Sequence, residues 1–163
     1  DLDNGRAREA ALDRSFRAIE ENLLSCAIWN YTADNTHAHG DGWNGEDFSV
    51  YSGDDRADAA DPDSGGRGLS ALVRPYPLAT AGKPLALSFD VARREMRYRF
   101  AHDASVGEPT EIFVPSLQYP ESIRVVVSDG TWEHRPAAQI LLFRHDPGRS
   151  EHTIRLTPAG ARA

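Results

Sequence analysis

A chain of 163 residues with 40% hydrophobic and 26% charged residues is long enough to bury a real core and has the composition of a folded globular protein, which excludes extensive disorder. Its net charge is −7, and the excess of acidic residues lies in residues 1–75, which contain 15 acidic and 7 basic residues. An acidic first half argues against nucleic acid as a partner. No apolar stretch approaches the length that a transmembrane segment needs.

The first elements in the chain are a predicted helix and a predicted strand. Leu12, Phe16, Ile19 and Leu23 recur at helical spacing between charged residues, which predicts an amphipathic helix over residues 6–22. Residues 25–31 form a short apolar run that predicts a buried strand, with the lone cysteine, Cys26, as a small core residue. One helix and one strand are half of a βαβ unit, so we expect the rest of that parallel sheet to come from residues outside this chain.

A long polar loop follows over residues 32–66, with many glycines and the acidic run DDRADAADPD. For residues 54–64 the composition favours a solvated surface loop. Within the loop, His37, His39 and Asp41 match an H-x-H-x-D metal pattern. Because the other four histidines are scattered through the second half of the chain, no ligand set is complete, and we expect no bound metal or cofactor.

The sequence pattern changes near Pro75 and Pro77, from a polar loop to a series of short apolar runs. Residues 66–74 predict a short helix that the two prolines end, and this marks the domain boundary. Seven short apolar runs follow: PLALSFDV, EMRYRFAH, TEIFVP, SIRVVVS, TWEHRP, QILLFRH and EHTIRLT. Turn signals such as Asp129-Gly130 separate them, which predicts an all-β antiparallel sandwich over residues 77–163.

Three segments carry a resemblance to a known family: WNYTADNTHAHGDGWNGEDFSVYS, GGRGLSALVRPYPLATAGKPLALSFD and EPTEIFVPSLQYP. Together they resemble the C-terminal part of glycoside hydrolase family 5 enzymes of the endoglycoceramidase and steryl-glucosidase type. The resemblance implies an α/β fragment, the end of a (β/α)8 barrel, over residues 1–76. Within it, residues 6–22 would be the seventh helix, residues 25–31 the eighth strand and residues 66–74 the eighth helix. The β-sandwich of residues 77–163 would be appended to that barrel.

The resemblance also implies where the chemistry lies. Retaining glycosidases use two carboxyl groups about 5 Å apart, one as nucleophile and one as acid/base. In this family both are glutamates on earlier barrel strands, so we expect no catalytic residue in this chain and no activity from the chain alone. Adjacent loop carboxylates such as Glu46 and Asp47 have no reason to adopt that separation.

Four residues are candidates for substrate binding. Trp29 lies near the carboxyl end of the predicted eighth strand, where an indole face can stack on a sugar ring, and the resemblance implies that role; a buried core tryptophan is the alternative. Asp34 and Asn35 follow at loop distance and are equally suited to binding sugar hydroxyls or to closing a turn. Trp43 either lines the aglycone side or anchors the loop on the barrel.

Two functions from different classes therefore remain. The first is the C-terminal portion of a retaining β-glycosidase that acts on a glycosylceramide or steryl glucoside, with that substrate and the upstream barrel as partners. The second is a non-catalytic β-sandwich module that binds carbohydrate or another protein. For the sandwich itself we favour a supporting role, because Trp132 is its lone tryptophan and binding faces usually present several aromatics.

Overall fold

The computed structural model describes residues 2–160, which divide into two compact units. The loop unit comprises residues 2–13 and Ser25–Leu72. The sandwich unit comprises Arg14–Leu24 and residues 73–160. Helix α1 (Leu2–Glu21) contributes residues to both units and agrees with the predicted amphipathic helix. None of the helices in the described range is both long and apolar enough to cross a bilayer.

Irregular backbone makes up most of the loop unit. Its other regular elements are a 3-10 turn (Gly53–Asp55), the one-turn helix α2 (Leu69–Leu72) and two isolated bridges that pair Thr36 with Gly40 and Tyr51 with Gly66. The short helix predicted before Pro75 is therefore present, although it is shorter than residues 66–74.

Residues 25–31 do not form the predicted strand. They are nearly all exposed, including Cys26, which was expected in a core, and Ile28, which is 48% exposed. A strand needs a neighbour for its backbone hydrogen bonds, and no such ladder forms within the described part of the chain. The barrel end predicted for residues 1–76 is thus not visible as a barrel in this structure.

The sandwich unit contains eight strands in two antiparallel four-stranded sheets. The strands are β1 (Tyr76–Ala79), β2 (Gly82–Asp90), β3 (Glu95–His102), β4 (Thr110–Phe113), β5 (Ile123–Val127), β6 (Thr131–Arg135), β7 (Ile140–Arg144) and β8 (Glu151–Pro158). One sheet has the order β1-β4-β7-β6 and the other the order β2-β3-β8-β5. All seven predicted runs form strands, and only β1 was not predicted.

The core of the sandwich unit follows from strand alternation. Along β8, His152, Ile154 and Leu156 are buried while the residues between them are exposed, as the period of two requires. These side chains join a cluster drawn from both sheets: Phe89, Met96, Tyr98, Phe100, Ile112, Val114, Tyr119, Leu141, Phe143, Ile154 and Leu156. The unit thus buries a contiguous apolar core of its own.

A buried ion pair joins the second half of α1 to the sandwich. The Arg74 Nε atom donates to Glu20 Oε1 at 2.6 Å, and Arg74 Nη2 donates to Glu20 Oε2 at 3.0 Å. Arg74 also donates to the Phe89 carbonyl at 3.0 Å, and the Phe89 N–H donates to Glu20 at 3.1 Å. Within the sandwich unit, the carboxylate that pairs with Arg74 therefore belongs to α1.

Candidate functional site

Four large aromatic side chains between residues 29 and 48 of the loop unit are exposed. The exposed fractions are 69% for Trp29, 67% for Tyr31, 60% for Trp43 and 58% for Phe48. Aromatic side chains normally dominate cores, so four exposed ones within twenty residues make this segment a candidate interaction surface.

Asp41 organises the backbone that carries these aromatics. Its side chain is largely buried, and its oxygens accept from the Trp43 N–H at 3.0 Å, the Phe48 N–H at 3.3 Å and the Asn30 side chain at 3.4 Å. One carboxylate therefore holds Trp43 and Phe48, the two ends of the turn over residues 43–48. The same carboxylate also holds Asn30, the residue that follows Trp29. No sequence pattern predicted this role, because Asp41 stood out only as the end of a metal pattern.

Asn35 and Asp34 differ sharply although they are adjacent. Asn35 is 1% exposed, and its side-chain amide donates to Asp47 at 2.8 Å. Its backbone carbonyl accepts from the Gly53 N–H at 2.9 Å, so Asn35 is built into the folded loop. Asp34 is exposed, and its side chain makes no comparable hydrogen bond within the described part of the chain. Of the two, only Asp34 is exposed to solvent.

Arg67 is a buried cation that no sequence motif singled out. Its Nη1 atom donates to Asp47 at 2.7 Å and its Nε atom donates to Asp55 at 2.8 Å. The hydrogen bond from Arg67 holds the pKa of each carboxyl below its ordinary value, against the opposing effect of burial. The acidic run is thus mostly exposed as predicted, but Asp55 at its start is a structural partner and not a merely solvated charge.

The H-x-H-x-D residues do not converge on a metal site. The His37 backbone N–H donates to Asp54 at 2.7 Å, its ring Nε2 lies 3.0 Å from Asp55, and His39 is exposed. Asp41 uses its oxygens on backbone and amide donors as described above. The three side chains therefore serve separate parts of the loop.

The histidines of the sandwich unit were expected to be scattered, and this is wrong for three of them. His102, His145 and His152 each place a ring nitrogen within 4.8 Å of the other two. A usable signal was present in the sequence: His102 ends one predicted strand, His145 ends another and His152 begins a third. In antiparallel sheets, two strand ends and one strand start can lie at the same end of the fold.

The sandwich unit also carries an open groove of about 890 Å³ beside α1. Several arginines line it, but Arg97 and Arg155 are both paired with Glu95, and Arg93 is paired with Asp90. Because its charges are largely compensated, the groove is not a strong anion site.

Comparison with protein families shows which family this chain belongs to. Residues 74–157, just over half of the chain, match the family model of the glycoside hydrolase family 5 C-terminal domain. The chain belongs to this family. The resemblance seen in the sequence is thereby confirmed, and the two antiparallel sheets are the fold of this C-terminal domain.

Relatives of this glycoside hydrolase family 5 chain are glycolipid and steryl glycosidases. It is 33% identical to a glucosylceramidase of Rhizopus delemar over 149 residues, covering 83% of this chain and 22% of the relative. It is 39% identical to endoglycoceramidase I of Rhodococcus hoagii over 103 residues, covering 63% of this chain and 20% of the relative.

A solved structure extends the similarity to the fold. The crystal structure of sterylglucosidase 1 of Cryptococcus neoformans matches with a TM-score of 0.86 and 33% identity, covering 96% of this chain and 25% of that one. The family 5 chain therefore spans only about a fifth to a quarter of the length of these relatives.

Proposed function

We propose that this chain is the C-terminal portion of a retaining β-glycosidase that hydrolyses a glycolipid-type substrate, either a glycosylceramide or a steryl glucoside. The observation that carries the proposal is the 33% identity to a glucosylceramidase across 83% of the chain. The names of the other relatives, an endoglycoceramidase and a sterylglucosidase, point to the same class of substrate.

Residues 1–76 are, on this proposal, the end of a (β/α)8 barrel, and residues 77–163 are its appended sandwich. Two observations support this division. The segment 25–31 is apolar yet exposed and forms no strand ladder in the described structure, as we expect of an eighth barrel strand without its neighbours. The sandwich unit, by contrast, closes its own core.

Catalysis would then depend on residues outside this chain. The two catalytic glutamates would lie on earlier barrel strands, and the partners of this chain would be the rest of the barrel and the glycolipid. The 163-residue chain assayed alone is expected to release no sugar from glucosylceramide or from a steryl glucoside. Turnover by the chain alone would contradict the upstream position of the glutamates.

Trp29 is the residue that would contact the sugar. Its indole is 69% exposed and has the flat apolar face that stacks on the C–H face of a pyranose ring. Asp34 and Asn35 would supply polar contacts near it, and Trp43 would line the aglycone side. The exposure of Asp34 and Trp43 supports their part of the assignment, whereas Asn35 would act from within the loop.

The test is a pair of tryptophan variants in the full polypeptide that contains this chain. Trp29→Ala is expected to lower kcat/KM about 30-fold, which corresponds to roughly 2 kcal/mol of lost transition-state binding. Trp132→Ala is the matched control, because Trp132 is also exposed, at 45%, but belongs to the sandwich unit. Equal kinetics for Trp29→Ala and the parent protein would remove Trp29 from the site.

A second candidate is the non-catalytic binding module. The observation that favours it is the self-contained apolar core of the sandwich unit, which such a module would need. It requires saturable binding of a glucoside by the 163-residue chain without the rest of a barrel. Calorimetric titration with a soluble β-glucoside distinguishes it from the first proposal, which expects no such binding.

A further inference from the structure

Three histidines from both sheets meet at one end of the sandwich unit. His102 is the last residue of β3 and His152 is the second residue of β8, so both belong to one sheet. His145 directly follows β7, which belongs to the other sheet. A ligand held by all three would therefore join the two sheets.

The rings are close enough to share one small ligand. One ring nitrogen of each lies within 4.8 Å of those of the other two. His102 Nδ1 and His145 Nε2 are 2.7 Å apart, so one of these nitrogens carries a proton and donates a hydrogen bond to the other.

His152 is the buried member of the cluster, and its contacts determine which of its ring nitrogens is free to bind a ligand. The residue is 0% exposed, and its Nδ1 atom lies 2.9 and 3.1 Å from the two carboxylate oxygens of Asp129. This contact places the proton on Nδ1 and leaves the lone pair on Nε2. That Nε2 atom is buried and has no hydrogen-bond partner among residues 2–160. A buried acceptor without a partner is costly, and it calls for a ligand.

The turn between β5 and β6 fixes Asp129 behind His152. The Asp146 N–H donates to it at 2.8 Å and the Ser128 hydroxyl at 2.6 Å. Gly130 allows the turn, because its φ is +65° and a Cβ there would lie 2.1 Å from the Arg144 carbonyl oxygen.

Aromatic packing explains only part of this arrangement. The His152 ring packs on Phe100 and Phe143 with centroids 5.1 and 6.3 Å apart, so a purely apolar role would account for its burial. It would not account for an unpartnered nitrogen close to two other imidazoles, nor for a carboxylate set behind the ring. Those two features are typical of a carboxylate–histidine–metal arrangement.

We propose that His102, His145 and His152 bind one divalent transition-metal ion, with Asp129 positioning His152. Three imidazoles favour zinc or a similar borderline cation over magnesium or calcium, which prefer oxygen ligands. Zinc–nitrogen bonds of about 2.0–2.1 Å in tetrahedral geometry put ligand nitrogens about 3.3 Å apart. The His102–His145 pair must therefore open slightly on binding, and the half-buried state of both rings leaves room for this and for entry of the ion.

The test uses the full polypeptide that contains this chain, stripped with a chelator and then titrated with ZnCl2 in a calorimeter. We expect one zinc per chain, a rise in the thermal midpoint with zinc, and no response to MgCl2. CoCl2 should give the visible absorption bands of tetrahedral nitrogen-ligated cobalt. A stripped protein that takes up no zinc would overturn the proposal.

Variants locate the site. His145→Gln should abolish stoichiometric zinc binding, and Asp129→Asn should weaken it about 10- to 100-fold. His134→Gln, at a half-buried histidine of β6 outside the cluster, should bind zinc like the parent, as should the double variant His37→Ala/His39→Ala. Binding that survives both His145→Gln and His102→Gln, or that is lost in the His37/His39 variant, would contradict the assignment. Unfolding curves in chelator, equal for variant and parent, show that the variants are folded.

Discussion

The two units of this chain place their large apolar residues in opposite ways. The sandwich unit buries Phe100, Phe143 and nine other side chains in one cluster. Among its described residues, the loop unit buries one apolar side chain, that of Ala71, and exposes Trp29 and Trp43. The buried polar and charged residues of the loop unit are Asn35, Asp41, Ser49, Ser52 and Arg67.

This difference indicates how each unit is stabilised. The sandwich has the layered arrangement of a domain that closes a core by itself. The loop unit is held by hydrogen bonds and ion pairs among its own polar groups, and its apolar segment over residues 25–31 has no partner strand within the described range. On the proposed function, the missing cover is the rest of the barrel.

A matched pair of phenylalanine variants tests the comparison most strongly. Phe143→Ala is expected to lower the free energy of unfolding by about 3–5 kcal/mol, because the side chain is 0% exposed and leaves a cavity between the sheets. Phe48→Ala in the loop unit, where the ring is 58% exposed, should change it by less than about 0.5 kcal/mol. Denaturant unfolding of the 163-residue chain measures both.

The two outcomes carry separate information. A small effect of Phe143→Ala would mean that the sandwich core does not determine stability. A large effect of Phe48→Ala would mean that the loop unit closes a core of its own, which would weaken the case for a covering barrel.

The Glu20–Arg74 ion pair offers the next largest effect. Glu20→Gln should destabilise the sandwich unit by about 3 kcal/mol, because it removes the carboxylate charge that pairs with the 4%-exposed Arg74 guanidinium. Glu21→Gln, at the neighbouring exposed position of α1, is the control and should be nearly neutral. The measurement is again the free energy of unfolding from denaturant titration.

A double variant then separates a structural charge pair from simple packing. Replacing both partners, as in Glu20→Leu with Arg74→Met, should recover part of the loss, since no charge is then buried alone. If the double variant is as unstable as the sum of the single ones, the two side chains do not act as a pair.

Sequence periodicity was sufficient for most of the sandwich and insufficient for the loop unit. Strands such as EHTIRLT alternate between apolar and polar residues, and local alternation is the property that a half-buried strand imposes. Strand β1 was not predicted because Pro75 and Pro77 indicate a boundary, although an edge strand tolerates proline. The run at residues 25–31 looks like a strand, but strand formation depends on neighbours that local sequence does not contain.

Local sequence patterns could not predict the polar sites, for the same reason. Arg67 meets Asp47 across 20 positions and Asp55 across 12, and His152 meets Asp129 across 23. Such pairs depend on the path of the backbone, which alternation and spacing do not encode. Trp29 is different, because its place at the end of an apolar run is a local feature that makes it a candidate from sequence alone, and its role stays a prediction.

The smallest effect belongs to the loop unit and depends on pH. The pKa values of Asp47 and Asp55 lie below their ordinary value of 3.8, chiefly because Arg67 donates to both. Their stabilisation is therefore present above about pH 4 and is lost as the pH falls through the lowered values. Arg67→Met should lower the stability of the loop unit by only about 1 kcal/mol at pH 7, since the side chains of Asp47 and Asp55 are both more than a third exposed and water screens the pairs.

Hydrogen exchange resolves this prediction at individual amides. The Arg67 and Ser52 N–H groups donate within the loop unit, to Val50 and Gly65, and should lose protection in Arg67→Met at neutral pH. Amides of β3 and β8 should be unchanged, because their hydrogen bonds belong to the sandwich. The difference between variant and parent should shrink as the pH falls below the lowered pKa values of Asp47 and Asp55, where the carboxylates are protonated in both. A difference that persists there would mean that Arg67 stabilises the loop by packing and not by its charge.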